Sequence, residues 1–423
     1  MLPIQLFRTN KQQILDGLKK KNFKEPELVD QIIGVDEQRR ALQVENDAIA
    51  ASVNSASKAI GQLMAKGEKA QAEEMKAQVS NQKEQAKDIA QRLGELEKQL
   101  HDLVVRLPNL PHSSVPVGKT PEENVVVRSG GTRPDLGAQK LAHWDLAAKY
   151  SLMDLELGTK ITGAGFPVFM GQGARLQRSL INYFLNYNTE AGYKEVCPPF
   201  MVNEDSAYGT GQLPDKEGQM YHATEDNFYL IPTAEVPVTN IYRDTIIPEQ
   251  ELPVMMTAYS PCFRREAGSY GKDVRGLNRV HQFDKVELVQ LTNPANSYEA
   301  LEGMVLHVEK LLQSLGLEYR ILRLCGGDMS FTSALTYDFE VYSAAQERWL
   351  EVSSVSNFEN FQTNRMKIRF KDGSGKTQLV HSLNGSSLAL PRIMACLLEN
   401  HQTPEGIKIP VALQPYFGKE MIS

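Results

Sequence analysis

The sequence predicts an α+β protein, with an N-terminal antiparallel coiled-coil hairpin followed by a domain built on an antiparallel β-sheet flanked by helices. Apolar residues recur at heptad spacing in two consecutive segments between residues 28 and 103. Residues 107–140 are rich in proline and glycine, a composition typical of linkers. After residue 141, a helical stretch at 174–189 gives way to short strand-like runs. We therefore expect an arm at 1–106, a linker at 107–140 and a larger domain at 141–423.

The first heptad series consists of Leu28, Ile32, Val35, Arg39, Leu42, Asn46, Ile49, Val53, Ala56, Ile60 and Leu63. The second consists of Met75, Val79, Gln82, Ala86, Ile89, Leu93, Leu96, Leu100 and Leu103. When the chain folds back near residues 65–70, the numbers of facing residues add up to 138 or 139, so the two seams match in register. Each helix of roughly 38 residues would be ~57 Å long and would project from the body. A dimerisation or spacer helix would show the same pattern, so this segment alone does not reveal function.

Composition excludes several classes of protein. The four cysteines, at 197, 262, 325 and 396, form no close pair, which argues against a zinc site and against a disulfide framework. No apolar run approaches the ~20 residues that span a bilayer. A net charge of −6 argues against indiscriminate coating of nucleic acid, which depends on neutralising phosphates. We expect a cytoplasmic protein without zinc or membrane contact, which would bind any nucleic acid through local patches and shape.

A long hairpin is predicted at residues 255–292, where two strand-like runs flank a polar, glycine-containing loop. Strand alternation would place Arg264 with Glu266 on one face, and likewise Phe283 with Glu287. A guanidinium matches phosphate oxygens, an aromatic face accepts a purine, and a carboxylate accepts hydrogen bonds from amino groups. The set suits ATP, although the same residue types are also common in salt bridges and cores.

The segment FRREAGSYGKDVRGLNRVHQFDKVE resembles motif 2 of class II aminoacyl-tRNA synthetases, in the form found in bacterial-type seryl-tRNA synthetases. GARLQRSLINYFLNYNTEAGYKEVCPP is similar to motif 1, about 173–199, and LNGSSLALPRIMACLLENHQ to motif 3, about 383–402. TAEVP, GDMSFTSALTYDFEV, EVSSVSNFENFQTNRM and the helical arm are similar to further segments of that family. The resemblance covers essentially the whole chain and implies a class II catalytic domain at 141–423, with motif 2 at about 255–292.

The resemblance also implies roles for individual residues. Arg264 and Arg392 would hold the α- and γ-phosphates of ATP and act as the catalytic residues. Glu266 would contact the adenine amino group, Phe283 would stack on adenine, and the backbone at Val280 would help to place the base. The full ATP site implied in this way comprises Arg264, Arg265, Glu266, Val280, Phe283, Glu351, Val352, Ser353, Ser354 and Arg392.

Magnesium and serine sites follow from the same resemblance. Glu351 and Ser354 would hold the catalytic Mg²⁺. The residues that match the serine-binding positions are Thr233, Ala234, Glu235, Arg264, Glu287 and Ser386. Ser387 is the alternative to Ser386 for contact with the serine hydroxyl.

The function that the resemblance implies is serine–tRNA ligation, in which L-serine is activated with ATP and transferred to tRNA(Ser). Motif 1 implies a homodimer, and tRNA(Sec) is a further candidate substrate. The arm would embrace the long variable region of the tRNA.

GSGKT at 373–377 does not complete a phosphate-binding loop, because Phe370 occupies a position that requires glycine, so we predict a hairpin turn there.

Three alternatives share part of this pattern. A class II synthetase for threonine or proline would share the three motifs, but usually carries an anticodon-binding domain after motif 3, and only 31 residues follow Arg392. A relative that loads amino acids onto a carrier protein would lack the arm. A coiled-coil interaction protein without enzyme activity would not need Arg264, Glu266, Glu351 and Arg392 together.

Overall fold

A long helical hairpin and an eight-stranded sheet are the principal features of the computed structural model, which describes residues 1–138, 140–215, 218–266 and 275–423. The chain divides into two compact units, residues 1–19 with 23–108 and residues 20–22 with 109–423. Residues 267–274 of the predicted motif 2 lie outside the described residues. None of the helices in the described ranges has the length and apolarity that crossing a membrane requires.

The helices are α1 Ile4–Thr9, α2 Lys11–Lys20, α3 Leu28–Lys66, α4 Lys69–Val104, α5 His143–Lys149, α6 Leu155–Ile161, α7 Gly171–Glu190, α8 Glu204–Thr210, α9 Glu235–Asn240, α10 Ser297–Ser314, α11 Phe361–Met366, α12 Leu390–Asn400 and α13 Gln414–Phe417. The strands are β1 Val125–Gly130, β2 Met153–Asp154, β3 Val168–Phe169, β4 Lys194–Glu195, β5 Met201–Val202, β6 His222–Ala223, β7 Phe228–Leu230, β8 Ile246–Pro248, β9 Val254–Phe263, β10 Gln282–Thr292, β11 Tyr319–Arg323, β12 Leu335–Ser343, β13 Arg348–Asn357, β14 Arg369–Lys371, β15 Thr377–Leu379, β16 His381–Ala389, β17 Ile407–Lys408 and β18 Met421–Ile422.

Helices α3 and α4 form the predicted hairpin. Helix α3 ends at Gly67, whose φ of 83° is left-handed and therefore suits glycine, and whose N–H donates to the carbonyls of Leu63 and Met64. Along the hairpin, one buried cluster consists of Leu42, Ile89 and Leu93, with Ile49 and Leu96 packed against it. The pairs 42 with 96 and 49 with 89 that the heptad spacing predicts therefore lie in the same cluster.

A buried carboxylate ties α1 to α3 within the same unit. Asp36 accepts hydrogen bonds from Arg8 Nε at 2.7 Å and Nη2 at 2.8 Å, and from Arg39 and Arg40 on its own helix. The Arg8 guanidinium lowers the pKa of Asp36 from its ordinary value. The buried carboxylate is thus compensated by three cations and anchors α1 against α3.

The eight-stranded sheet has the order β1-β11-β12-β13-β16-β10-β9-β4, and its neighbouring strands are antiparallel except for the pair β4 and β9. Alternation along β12 places Tyr337, Phe339 and Val341 in the main apolar core. The intervening Thr336 and Asp338 line a cavity instead. The sheet thus has one face in the core and one face available for a site, and the predicted α+β fold is confirmed.

The core face of the sheet is covered by α7, α10 and α12. Their fully buried side chains include Phe184 from α7, Val308 and Leu311 from α10, and Ile393 from α12, all in the main core cluster. Helix α7 covers the predicted helical stretch 174–189. Because these helices fill one face, the polar residues on the opposite face of the sheet remain free to bind a ligand.

Two segments differ from the sequence-based expectation. Part of the predicted linker at 107–140 is β1, an edge strand that pairs with β11; proline and glycine content marks turns but does not report the pairing of the residues between them. Strand β9 ends at Phe263, so Arg264 and Glu266 lie after the strand. The predicted alternation of side chains along a strand therefore does not explain their positions. Glu266 has a φ of 49°, which redirects the chain there. The segment 373–377 forms the turn between the antiparallel strands β14 and β15 together with the first residue of β15, as predicted.

Candidate active site

A cavity of about 620 Å³ opens on the face of the sheet away from the core. Its walls come from β10, β12, β13 and β16, from the segment 232–235, and from the segment 277–280. The predicted site residues that line it are Thr233, Glu235, Arg264, Glu266, Val280, Phe283, Glu287, Glu351, Val352, Ser353, Ser354, Ser386 and Arg392. Residues from distant parts of the sequence therefore converge on one cavity.

Two predicted residues do not line the cavity. Ala234 is fully buried in a separate apolar cluster with Val238 and Met256. Arg265 has an exposed side chain, and its backbone N–H donates to the carbonyl of Gln219 at 3.0 Å. Neither side chain is therefore placed to contact a molecule in the cavity.

One end of the cavity holds a buried polar cluster. Lys285 Nζ lies 2.9 Å from Thr233 Oγ1 and 2.5 Å from Glu287 Oε2. The Thr233 hydroxyl also lies 3.1 Å from Glu287 Oε2, to which it donates. Asn384 Nδ2 donates to the other carboxylate oxygen of Glu287 at 3.2 Å. These contacts fix Glu287 with both of its oxygens engaged.

Glu235 is the second buried carboxylate at this end. Gln362 Nε2 donates to Glu235 Oε1 at 2.6 Å, and Ser382 in turn donates to Gln362 Oε1 at 2.7 Å, which fixes the amide orientation. Burial, and then the nearby charge of Glu287, raise the pKa of Glu235 to about 7. Burial also raises the pKa of Glu287, although Lys285 opposes that shift. This end of the cavity therefore favours a ligand that brings a positive charge.

Two arginines, Arg264 and Arg392, also line the cavity, and the charge of Arg264 opposes the rise in the pKa of Glu235 and of Glu287. The guanidinium of Arg264 lies over the ring of Phe283, with its Cζ 5.1 Å from the ring centroid, and its Nε donates to the carbonyl of Pro232. Arg392 Nε donates to the carbonyl of Asn278 at 3.0 Å, and its Nη1 donates to the carbonyl of Glu351 at 2.8 Å. Both guanidinium groups keep donors that these contacts do not use, so they can bind phosphate oxygens.

Glu266 lines the same part of the cavity. Its carboxylate is only 15% exposed and accepts a hydrogen bond from Arg279 Nη1 at 2.9 Å. The pairing holds a carboxylate near Phe283, where it can accept from an amino group on a stacked base.

Asp338 is a cavity residue that we did not predict. It lies opposite Ser354 in the pairing of β12 with β13, and its pKa is raised well above its ordinary value by burial and by Glu351. Its Oδ1 is inaccessible to solvent and has no hydrogen-bond partner among the described residues. Alternation with the cavity residue Thr336 could have identified it, because both lie on the polar face of β12.

Lys285, Asn384 and Gln362 were also missed. Lys285 and Asn384 line the cavity, while Gln362 lies behind Glu235. In the sequence they carry no distinctive spacing, and only the register of β10 with β16 brings Glu287 opposite Ser386 and next to Asn384.

The two serines of motif 3 point to different places. Ser386 lines the cavity. Ser387 is fully buried, and its hydroxyl donates to Asn188 Oδ1 on α7 at 3.0 Å. Of the two alternatives, Ser386 is therefore the one that can contact a ligand.

Two of the histidines contact other side chains. His281 lies 3.0 Å from the hydroxyl of Tyr221 and stacks on Phe166, and His222 lies 2.9 Å from Asn227 Oδ1. In the described ranges, no group of three or more histidine, cysteine, aspartate or glutamate residues is arranged to hold a metal ion.

Comparisons with known proteins show the family to which this chain is similar. The family model for the "tRNA synthetase class II core domain (G, H, P, S and T)" matches residues 219–401, and that for the "Seryl-tRNA synthetase N-terminal domain" matches residues 1–111. A serine–tRNA ligase of Salinibacter ruber is 49% identical over 99% of this chain and 98% of that protein. One of Akkermansia muciniphila is 47% identical over 100% of this chain and 99% of that protein. A crystal structure of a seryl-tRNA synthetase from Pyrococcus horikoshii complexed with ATP superposes with a TM-score of 0.93 at 32% identity, covering 100% of this chain and 99% of that one.

Proposed function

The chain belongs to the seryl-tRNA synthetase family, and from this we infer that it is a serine–tRNA ligase, an enzyme that forms a carbon–oxygen bond. It activates L-serine with ATP to seryl-adenylate and pyrophosphate, then transfers serine to the 3′ end of tRNA(Ser). The observation that carries this function is the cavity itself, in which a buried carboxylate cluster and two arginines face the same space.

Serine is assigned to the end of the cavity that holds Glu235 and Glu287. The carboxylate of Glu235 accepts a hydrogen bond from the α-ammonium group of serine. The ammonium group also supplies a positive charge next to this buried carboxylate. Thr233, Glu287 and Ser386 surround the remaining polar atoms of serine. An amino acid without the hydroxyl would leave buried polar groups unpaired, a penalty that supports selection of serine over alanine.

ATP is assigned to the part of the cavity that is lined by Glu266, Phe283 and Arg392, with Arg264 between this part and the carboxylates. Phe283 offers a face for adenine, and Glu266 accepts from its amino group. Arg264 binds the α-phosphate and Arg392 the γ-phosphate. The guanidinium of Arg264 lies over one face of the Phe283 ring, so the proposed phosphate and adenine contacts are adjacent.

The oxygen donors at Glu351 and Ser354 fit a magnesium ion. Mg²⁺ prefers oxygen ligands, and the unpartnered Oδ1 of Asp338 directly across the strand pair adds a third. When bound, the ion would neutralise negative charge on the phosphate oxygens. The Oδ1 atom of Asp338 would then gain a partner, in addition to the contact of Asp338 with Ser354.

Neither reaction step requires a covalent enzyme nucleophile. In the first, a serine carboxylate oxygen bonds to the α-phosphorus while the bond to the β-phosphate oxygen breaks and pyrophosphate leaves. In the second, a ribose hydroxyl of tRNA attacks the adenylate carbonyl and AMP leaves. The chain therefore acts by in-line positioning of the reactants and by stabilising charge on phosphate oxygens with Arg264 and Arg392.

Two partners belong to the same proposal. A homodimer formed through α7 and β4 would follow from motif 1, and the arm of one subunit could then present tRNA to the cavity of the other. Serine tRNA is the substrate that the arm would bind, and selenocysteine tRNA is a second candidate because it is also charged with serine in the family.

The first test is exchange of labelled pyrophosphate into ATP in the presence of serine, threonine, alanine, glycine or proline, with the wild type and Arg264→Ala. We expect exchange with serine alone, and its loss in the variant. Exchange with another amino acid instead would overturn the assignment of serine, and no exchange with any of them would overturn the proposed enzyme activity.

A further inference from the structure

A fully buried histidine holds the segment that follows the undescribed part of motif 2. His143 begins α5, and its Nε2 lies 2.8 Å from the backbone nitrogen of Leu277. Its Nδ1 lies 2.7 Å from Oε1 of Glu399, which is also fully buried. A backbone N–H can only donate, so Nε2 is the acceptor and the ring hydrogen is on Nδ1, where it is donated to the carboxylate.

Neighbouring residues show that this contact is closely fitted. Gly276 has a φ of 65°, and a Cβ at that position would lie 2.2 Å from His143 Nε2. The guanidinium of Arg275 lies over the Trp144 ring, with Cζ 4.3 Å from the centroid. Three consecutive residues, 275–277, therefore meet two consecutive residues of α5.

Glu399 is itself held in one orientation. Its Oε1 also accepts from the backbone nitrogen of His143 at 3.0 Å and from Gln346 Nε2 at 2.9 Å, while Ser343 donates to its Oε2. Gln346 in turn accepts from Asn278 Nδ2 at 2.9 Å. A buried carboxylate with this many donors is fixed, and it fixes the ring that it accepts from.

The segment held in this way holds a proposed ATP ligand. The carbonyl of Asn278, the residue after Leu277, accepts from Arg392 Nε at 3.0 Å. Arg392 and Glu399 both lie on α12. This helix therefore holds residues 276–278 in two ways, directly through Arg392 and indirectly through Glu399 and His143. Displacement of Leu277 would therefore move the carbonyl that orients the guanidinium.

We propose that His143, which is oriented by Glu399, is a positioning residue. By fixing residues 276–278, it holds the guanidinium of Arg392 in the orientation that binds ATP. The proposal rests on the proposed function, because it assumes that Arg392 binds ATP. It acts on the ATP end of the cavity and not on the serine end, where Glu235 and Glu287 have separate partners.

Two matched variants separate positioning from a general structural role. In His143→Gln, the side-chain oxygen can reach the Nε2 position and accept from Leu277. In His143→Asn, the side-chain nitrogen can occupy the Nδ1 position and donate to Glu399, but nothing reaches Leu277. Each variant gives up one buried hydrogen bond of the ring, so both should unfold at similarly lowered temperatures.

The assay is serine-dependent pyrophosphate exchange, with ATP and serine varied in turn. We expect the KM for ATP to rise about tenfold in His143→Asn, the effect of one lost hydrogen bond, and much less in His143→Gln. The KM for serine should change little in either. Hydrogen exchange of a peptide covering Leu277 should be faster in His143→Asn than in His143→Gln, a readout that does not depend on activity.

Equal KM values for ATP in the two variants would overturn the proposal, and so would a parallel rise for ATP and serine. Exchange in the wild type is the reference for both. Its absence would overturn the proposed function, whereas normal wild-type exchange with indistinguishable variants would overturn only the role of His143.

Discussion

Glu235 and Glu287 are two buried carboxylates that lie near the cations of Lys285 and Arg264. Lys285 lies 2.5 Å from Glu287, whereas Glu235 Oε1 accepts a hydrogen bond from the neutral amide of Gln362. Burial and the proximity of Glu287 accordingly raise the pKa of Glu235 to about 7. The negative charge of buried Glu235 is unfavourable without a cation beside it. A substrate ammonium group would supply that cation, so binding of the amino acid stabilises the charged carboxylate.

This arrangement predicts pH-dependent binding of the substrate amino group. Glu235 must be deprotonated to pair with an ammonium, so affinity should fall as pH falls through about 7. We expect a non-hydrolysable sulfamoyl analogue of seryl-adenylate to bind roughly tenfold more weakly at pH 6 than at pH 8. The measurement is its Kd by calorimetry across this range.

The matched control ligand is the same analogue without its α-amino group, whose Kd should be nearly constant between pH 6 and pH 8. Glu235→Gln should bind the amino analogue weakly and without this pH dependence. A pH dependence that is equal for the two ligands would show that another group is responsible.

Single residues also show what the sequence could and could not predict at the site. Arg264, Phe283, Glu351 and Arg392 stand in motifs with distinctive neighbours, so their convergence could be expected. Alternation along β12 could have placed Asp338 on the same face as Thr336, but its position opposite Ser354 depends on the pairing of β12 with β13. Such cross-strand register is a property of the folded sheet and leaves no local pattern in either strand.

At the scale of elements, the arm was the most predictable part of the chain. A heptad repeat specifies both the helices and the face through which they pack, and the turn at Gly67 adds a local signal. The catalytic sheet was predictable as a set of strands but not in its order. Strand β1, for example, follows a proline-rich segment, and its membership of the sheet depends on pairing with β11, nearly two hundred residues away.

The hairpin turn gives a test of that local signal. Gly67→Ala would place a side chain at a φ of 83°, and we expect it to destabilise the arm by about 1 kcal/mol through backbone strain alone. No atom lies within 4 Å of the added Cβ, so steric contact does not contribute. Thermal unfolding followed by circular dichroism at 222 nm measures the change.

Gly94→Ala is the matched control within the same hairpin. Gly94 is exposed in the interior of α4, and an added Cβ would again meet nothing within 4 Å. Here alanine should stabilise the helix, by up to about 1 kcal/mol. The two glycine-to-alanine substitutions should therefore change the stability of the arm in opposite directions. A change in the same direction would show that Gly67 does not need its left-handed conformation.

At the scale of the whole molecule, the two compact units correspond to two separable tasks. The residues that line the cavity all belong to the unit formed by residues 20–22 and 109–423, whereas the heptad seams belong to the other unit. Adenylate formation should therefore require only the cavity, and transfer to tRNA should require the arm as well. We propose that the arm recognises tRNA through shape and backbone contacts.

Removal of the distal arm tests this division of labour. In a variant that lacks residues 40–96, joined by a short glycine-serine linker, the base of α3 keeps Asp36 and its contact with Arg8. We expect serine-dependent pyrophosphate exchange to continue at close to the wild-type rate, because no cavity residue is removed. Aminoacylation of tRNA(Ser), measured with labelled serine, should fall to background. If exchange and aminoacylation were lost together while the variant remained folded, the arm would be needed for the chemistry of the cavity itself. If both were retained, tRNA would have to be recognised by the catalytic unit alone.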